Sequence, residues 1–205
     1  MSYHHSQSIL RLFIIKLGSI FALLIMAITP STALASDWGI TSLMEQLAKN
    51  KGGLTTFTEK KHIAMLDIPL ESSGELHYTA PNYLEKKTLK PKLESFVLDD
   101  GVITINRGKK KHTLKLKRHP KIAIFIESIR GTLAGDKTAL ERSYQLGLTG
   151  SATQWTLTLL PTDKSMNNLL DNIIIHGRHE KINTIEIHQA DGDYSIMNIE
   201  EPATP

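Results

Sequence analysis

Over most of this chain apolar and polar residues alternate with the two-residue period of half-buried strands. Only near the start and in the middle does the period lengthen to that of a helix. Trp38 to Lys49 carries Ile40, Leu43, Met44, Leu47 and Ala48 at helical spacing, and Asn50-Lys51-Gly52-Gly53 ends it. A long strand is predicted from Leu54 to Ile68, closed by Pro69, with Phe57, Ile63 and Met65 sharing one parity. Gly74 to Thr79 is a strand with Leu76 and Tyr78 on one face and Glu75, His77 and Thr79 on the other. Strands from Tyr83 to Leu89 and from Leu93 to Leu98 follow, parted by Pro91. Asp99-Asp100-Gly101 is a tight hairpin turn. Val102 to Asn106 and His112 to Leu116 pair around the basic turn Arg107-Gly108-Lys109-Lys110-Lys111.

At Pro120 the period changes. Ile122, Phe125, Ile126, Ile129 and Leu133 form a helical stripe, and Pro120 suits a first helical turn. Asp136 caps a second short helix running to Leu140. Strands return at Tyr144 to Leu148 and Gln154 to Leu160, with Gly150-Ser151 turning between them and a loop from Pro161 to Asn168. Ile173 to His176, Ile182 to His188 and Tyr194 to Ile199 close the chain as a meander, its last turn at Asp191-Gly192, before a tail expected to be mobile. The fold class is α+β: one antiparallel sheet of roughly ten strands, with an N-terminal helix and a central helix to cover its apolar face.

The first 35 residues stand outside that pattern. Arg11 and Lys16 precede an apolar run from Leu17 to Ile28, and Ala33-Leu34-Ala35 follows as a small-residue cleavage site. This order predicts a secretory signal peptide cut after Ala35, since about a dozen apolar residues fall short of the ~20 that span a bilayer. Residues 36–205 are then a single exported domain, expected in the periplasm. Without Arg11 and Lys16 the net charge of +3 drops to about +1, so charge says little about partners. Cysteine is absent, so packing rather than disulfides holds the domain.

Catalytic signatures are scarce. No nucleophile elbow or phosphate-binding glycine loop occurs, and a cysteine nucleophile is impossible. His176 and His179 have a spacing that can serve a metal, but they fall at a strand end and turn without an acidic partner at matching spacing. Asp99, Asp100, Asp191 and Asp193 are explained by turn chemistry. The cluster Arg107, Lys109, Lys110, Lys111, His112, Lys115, Lys117, Arg118 and Lys121 is either a solvated hairpin or a contact for an anionic surface. Nucleic acid is not expected, because no aromatic residues interleave with these cations. Neither a catalytic residue, a metal nor a cofactor is assigned. From composition alone, the helical stripe closes either a solid core or a cavity.

Four segments in order, Phe57-Thr58-Glu59-Lys60, Gly74 to Leu84, Phe96 to Val102 and Asp191-Gly192-Asp193, resemble motifs of the LolA-like periplasmic lipoprotein carriers. Arg130 to Asp136 with Leu140 resembles a divergent branch of that family. The resemblance implies an open, strongly curved sheet, a half-barrel closed by a helical lid, whose inner surface holds acyl chains of a lipoprotein or lipid. It implies a non-enzymatic monomer that moves such a ligand toward the outer membrane, between an inner-membrane donor protein and an outer-membrane acceptor. Inner-face residues would be Phe57, Ile63, Met65, Leu76, Tyr78, Phe96, Leu98, Leu146, Trp155, Leu157 and Ile175. Ile122, Phe125, Ile126 and Ile129 would form the lid face. The chain departs from the family where carriers have an Arg before the proline of the second motif, because Ala80 stands there; Lys86, Lys87 or Arg130 are candidate substitutes. Two other readings stay open: a filled-core envelope sensor or interaction module, and a lipid or thioester hydrolase or transferase with a Ser or Thr beside His77 or His188.

Overall fold

A computed structural model of the protein describes residues 38–202. The expected leader and the last three residues of the tail lie outside that range. The order is α1 (Ile40–Leu47), β1 (Gly52–His62), β2 (Leu70–Thr79), β3 (Tyr83–Lys90), β4 (Glu94–Asp99), β5 (Val102–Arg107) and β6 (Lys110–Lys115). A 3-10 turn (Leu116–Arg118), α2 (Pro120–Ala134) and α3 (Lys137–Glu141) follow. Then come β7 (Tyr144–Ser151), β8 (Gln154–Pro161), α4 (Lys164–Asn167), β9 (Asn172–Arg178), β10 (Lys181–His188) and β11 (Tyr194–Glu200). All eleven strands form one sheet in the order β6-β5-β4-β3-β2-β1-β11-β10-β9-β8-β7. Each pair is antiparallel and the first and last strands do not meet, so the sheet is an open, curved half-barrel.

Opposed residues in antiparallel strands share a face, and the register carries one face across the sheet. Phe96 opposes Lys86, Lys86 opposes Leu76, and Leu76 opposes Thr55. Two residues along β1, Phe57 opposes Ile199; the row continues through Met197, Ile185, Ile175, Leu157 and Leu148. This inner face is solid at both flanks. On one, Leu43, Met44 and Leu47 of α1 and Leu140 of α3 pack on Trp155, Leu157, Leu159, Ile173 and Ile175. On the other, Leu98, Ile103 and Leu116 pack with Ile126 of α2. At about 1.5–3 kcal/mol per fully buried aliphatic side chain, these two clusters supply the main drive to fold.

Helix α2 crosses between the clusters and is firmly seated. Gly131 lets Leu140 approach, since a Cβ there would lie 3.0 Å from Leu140 Cδ2. Ser128 and Thr132, both fully buried, turn their hydroxyls back onto the carbonyls of Phe125 and Ser128. Gly135 ends the helix at φ 65°, where a Cβ would meet Met44 O at 2.1 Å, so α2 is drawn against α1. Asp136 caps α3 as its spacing predicted, accepting from Ala139 N at 2.9 Å.

Four details differ from the pattern-based reading. β1 ends at His62, so Ile63 and Met65 belong to a loop and not to a strand face. β2 starts earlier, at Leu70. The β7–β8 turn falls at Ala152-Thr153, with Gly150 still paired opposite Trp155. The basic cluster is split: Lys109 sits in a hairpin turn, Lys115 ends β6, and Lys117 and Arg118 lie in the 3-10 turn around buried Leu116.

Candidate functional site

Between the two solid clusters the inner face of the central strands is left uncovered, and α2 spans this gap. The result is a groove of about 1810 Å³. Its apolar wall is Leu76 and Tyr78 of β2, Leu84 of β3, Phe96 of β4, Ile185 and Ile187 of β10, and Met197 and Ile199 of β11. Phe125, Ile126, Ile129 and Leu133 of α2 form the opposite wall. The groove exists because α1 and α3 cover β7–β9 while the first half of α2 covers β4–β6; no other element among the described residues fills the middle.

Of the residues expected to line a cavity, Leu76, Tyr78, Phe96, Phe125, Ile126 and Ile129 lie along the groove. Phe57, Leu98, Leu146, Trp155, Leu157 and Ile175 have the inner-face parity but are packed in or against the floor and flanking clusters. Trp155, for example, is 1% exposed and donates Nε1–H to His179 O at 2.8 Å, pinning the β9–β10 turn. Three expectations are corrected. Ile63 falls beyond the end of β1. Met65 is 92% exposed in the β1–β2 loop. Ile122 is exposed because the helical stripe is wider than the face α2 turns inward. Pattern reading missed Leu84, Ile185, Ile187, Met197 and Ile199. Their signal was the same alternation that flagged Leu76 and Tyr78.

One end of the groove is polar. Glu59 and Lys86 form an ion pair on the inner face, Ser72 Oγ donates to Glu59 Oε2 at 3.3 Å, and the Lys86 ammonium lies 4.8 Å from the centre of the Phe57 ring. Lys61, Thr88, Glu94 and Arg107 continue this polar end. Under α2, Tyr78 is 7% exposed and its hydroxyl has no hydrogen-bond partner among the described residues. Burial pushes the Tyr78 hydroxyl up from its ordinary pKa, and the positive charge of Arg130 partly opposes this. Arg130 donates to Glu127 at 2.6 Å and pairs with Asp136 at 3.6 Å; its hydrogen bond to the Glu127 carboxylate is the chief cause of its raised pKa. Of the three candidate substitutes for the family Arg, Lys86 is held by Glu59 and Lys87 pairs with Glu75 on the outer face at 3.4 Å. Arg130 is the one carried by the helix over the groove.

The hydroxyl–imidazole contacts lie elsewhere. Thr79 Oγ1 is 3.4 Å from His77 Nε2, and Thr156 Oγ1 is 3.0 Å from His176 Nδ1, all on the outer face. His176 and His188 both contact Glu186, at 3.1 and 3.2 Å. Among the described residues no group of three acidic or histidine side chains is arranged to hold a metal ion.

An open half-barrel with an apolar groove under a crossing helix defines a class of binding fold. The chain belongs to the family described as outer membrane lipoprotein carrier protein LolA-like, whose sequence profile matches residues 29–201. Comparison with curated proteins gives no match. Similar solved structures include a LolA superfamily protein from Nitrosomonas europaea, at 8% identity over 82% of this chain and 96% of that one, with a TM-score of 0.42. LprF from Mycobacterium bovis is 10% identical over 81% of this chain and 93% of its own, with a TM-score of 0.34. MucB from Pseudomonas aeruginosa, solved in complex with MucA, is 14% identical over 81% of this chain, with a TM-score of 0.46; the match spans 58% of that chain.

Proposed function

We propose that the protein is an exported, non-catalytic carrier that binds acyl chains of a lipid or lipoprotein in this groove. Its place would be the periplasm, between an inner-membrane donor and an outer-membrane acceptor. The observation that carries the reading is the groove itself: an apolar channel left open between two solid cores. An acyl chain of about sixteen carbons gains roughly 12 kcal/mol on leaving water, at about 0.8 kcal/mol per methylene. Association costs about 4–15 kcal/mol, so area alone supports reversible binding without any reactive group. The polar end, with Glu59, Lys86 and Ser72, suits the solvated head of an amphiphile. The open groove also counts against a filled-core interaction module.

Uptake of a fluorescent fatty-acid probe by the naturally processed protein tests the proposal. Leu76→Trp and Met197→Trp, which fill the groove, are expected to lower uptake at least tenfold while leaving urea unfolding near wild type. Wild-type uptake no greater than that of a lipid-free control protein would overturn the reading. Native mass spectrometry of the envelope-purified protein identifies the ligand directly.

A further inference from the structure

The β1–β2, β3–β4 and β5–β6 connections all fall at one end of the sheet, because Lys61 opposes Leu70, Thr88 opposes Glu94 and Arg107 opposes Lys110. Six neighbouring strands at about 4.8 Å spacing make this rim roughly 25 Å wide. The groove reaches it, since Lys61, Leu70, Pro91, Lys92 and Arg107 line that end. Two features of the rim have no folding rationale. First, it holds six exposed large apolar side chains: Met65 at 92%, Ile68 at 76%, Leu93 at 65%, Leu70, Leu66 and Leu89. Single exposed apolar residues are ordinary, but contiguous patches on a monomer mark a contact surface. Second, the rim is cationic. Lys60, Lys61 and Arg107 are matched by Glu71, Asp193 and Glu94. Among the described residues Lys90, Lys92, Lys109, Lys110 and Lys111 are exposed and have no ion pair, against Asp67 in these connections and Asp191 in the adjoining β10–β11 turn.

From this juxtaposition we infer that the three-loop rim is a membrane-docking surface for an anionic phospholipid bilayer, placing the groove mouth against the lipid. Met65, Leu66, Ile68 and Leu93 would enter the headgroup–acyl boundary while the lysines meet lipid phosphates. The composition separates this occupant from a protein. Protein interfaces are enriched in aromatic residues and Arg and depleted in Lys, whereas the unpaired cations here are all Lys and the apolar residues all aliphatic or Met. Lysine on an edge strand also guards against sheet-to-sheet pairing. That role covers β6 and leaves the apolar β1–β2 and β3–β4 loops unexplained. The inference deepens the carrier reading by naming where the ligand would enter, and it rests on that reading only for the meaning of the groove mouth.

Co-sedimentation of the naturally processed protein with vesicles tests it, using phosphatidylcholine alone and phosphatidylcholine with one-third phosphatidylglycerol. Binding is expected to the anionic vesicles and to fall with salt. The triple change Lys109→Gln, Lys110→Gln, Lys111→Gln is expected to weaken it roughly 100-fold, given the contribution of each Lys near an anionic surface. The pair Met65→Ser and Ile68→Ser is expected to weaken it at least tenfold. All five positions are exposed, so urea unfolding should stay at wild type. Equal binding to both vesicles, no binding, or variants that bind like wild type would overturn the inference. So would loss of vesicle binding with retained capture of an acidic polypeptide such as polyglutamate. Fatty-acid uptake in vesicle-free solution is read in parallel. Uptake without vesicle binding removes the docking surface and leaves the carrier reading, and vesicle binding without uptake does the reverse.

Discussion

Replacing Lys86 by Met tests whether the polar end of the groove is held by one charge pair. Lys86 and Glu59 keep 29% and 16% of their side-chain surface exposed. Among the described residues, removing the ammonium leaves the Glu59 carboxylate with only the Ser72 hydroxyl at 3.3 Å. A deeply buried charge stripped of its partner costs about 3–5 kcal/mol; the water that reaches this groove end lowers that to about 2 kcal/mol. The lost contact with the Phe57 ring adds about 0.5 kcal/mol. In a domain of this size each kcal/mol moves Tm by roughly 2–4 °C, so Lys86→Met should melt about 6 °C lower. Glu59→Leu with Lys86→Met removes both charges and should return to within about 1 kcal/mol of wild type. Urea and thermal unfolding of the four proteins then give a coupling energy of roughly 1.5–2 kcal/mol. Additive losses, or a Lys86→Met protein within about 0.5 kcal/mol of wild type, would refute the reasoning.

Three more outcomes are expected. Gly177→Ala places a Cβ 2.1 Å from Trp155 Cζ2 and 2.5 Å from Lys181 O, so it should cost about 1–3 kcal/mol in urea unfolding and shift Trp155 fluorescence. Asp136→Ala removes the cap on Ala139 N and an ion-pair partner of Arg130, and should cost about 1 kcal/mol by the same measurement. Asp163 is held below its ordinary pKa, chiefly by the hydrogen bond from Ser165 N at 2.7 Å. Its stabilising effect is present above the unfolded-state pKa and is lost as pH falls through the lower folded value, so Asp163→Ala should flatten the acid limb of a stability–pH curve.

Alternation grouped residues of one strand by face. Leu76, Tyr78, Phe96, Trp155, Leu157 and Ile175 all share the inner face in the register of the sheet. Alternation states which side of a strand is apolar; it does not state what covers that side. Trp155 and Leu157 are roofed by α1 and α3, whereas Leu76 and Met197 are not, and the α1 part of that roof comes from residues more than a hundred positions away. Met65 was misplaced for a local reason. The apolar spacing Phe57, Ile63, Met65 continues past His62, although the chain leaves the sheet there and Ala64 N binds Asp193 Oδ1 at 3.0 Å in a distant turn. The Glu59–Lys86 pair had no sequence signal, because its partners lie on non-adjacent stretches brought together by β1–β2–β3 pairing.

The separation of the two packed flanks from the open middle has an evolutionary consequence. Residues such as Trp155, Leu159 and Ile173 hold the sheet, while Leu76 and Met197 line the groove and belong to neither packed cluster. A change at the second set leaves neither a new void in a packed core nor an overpacked one, the two main routes by which core substitutions destabilise. The size and shape of the groove can therefore drift in descendants of this gene by single substitutions, without the compensating changes that altering a solid core requires.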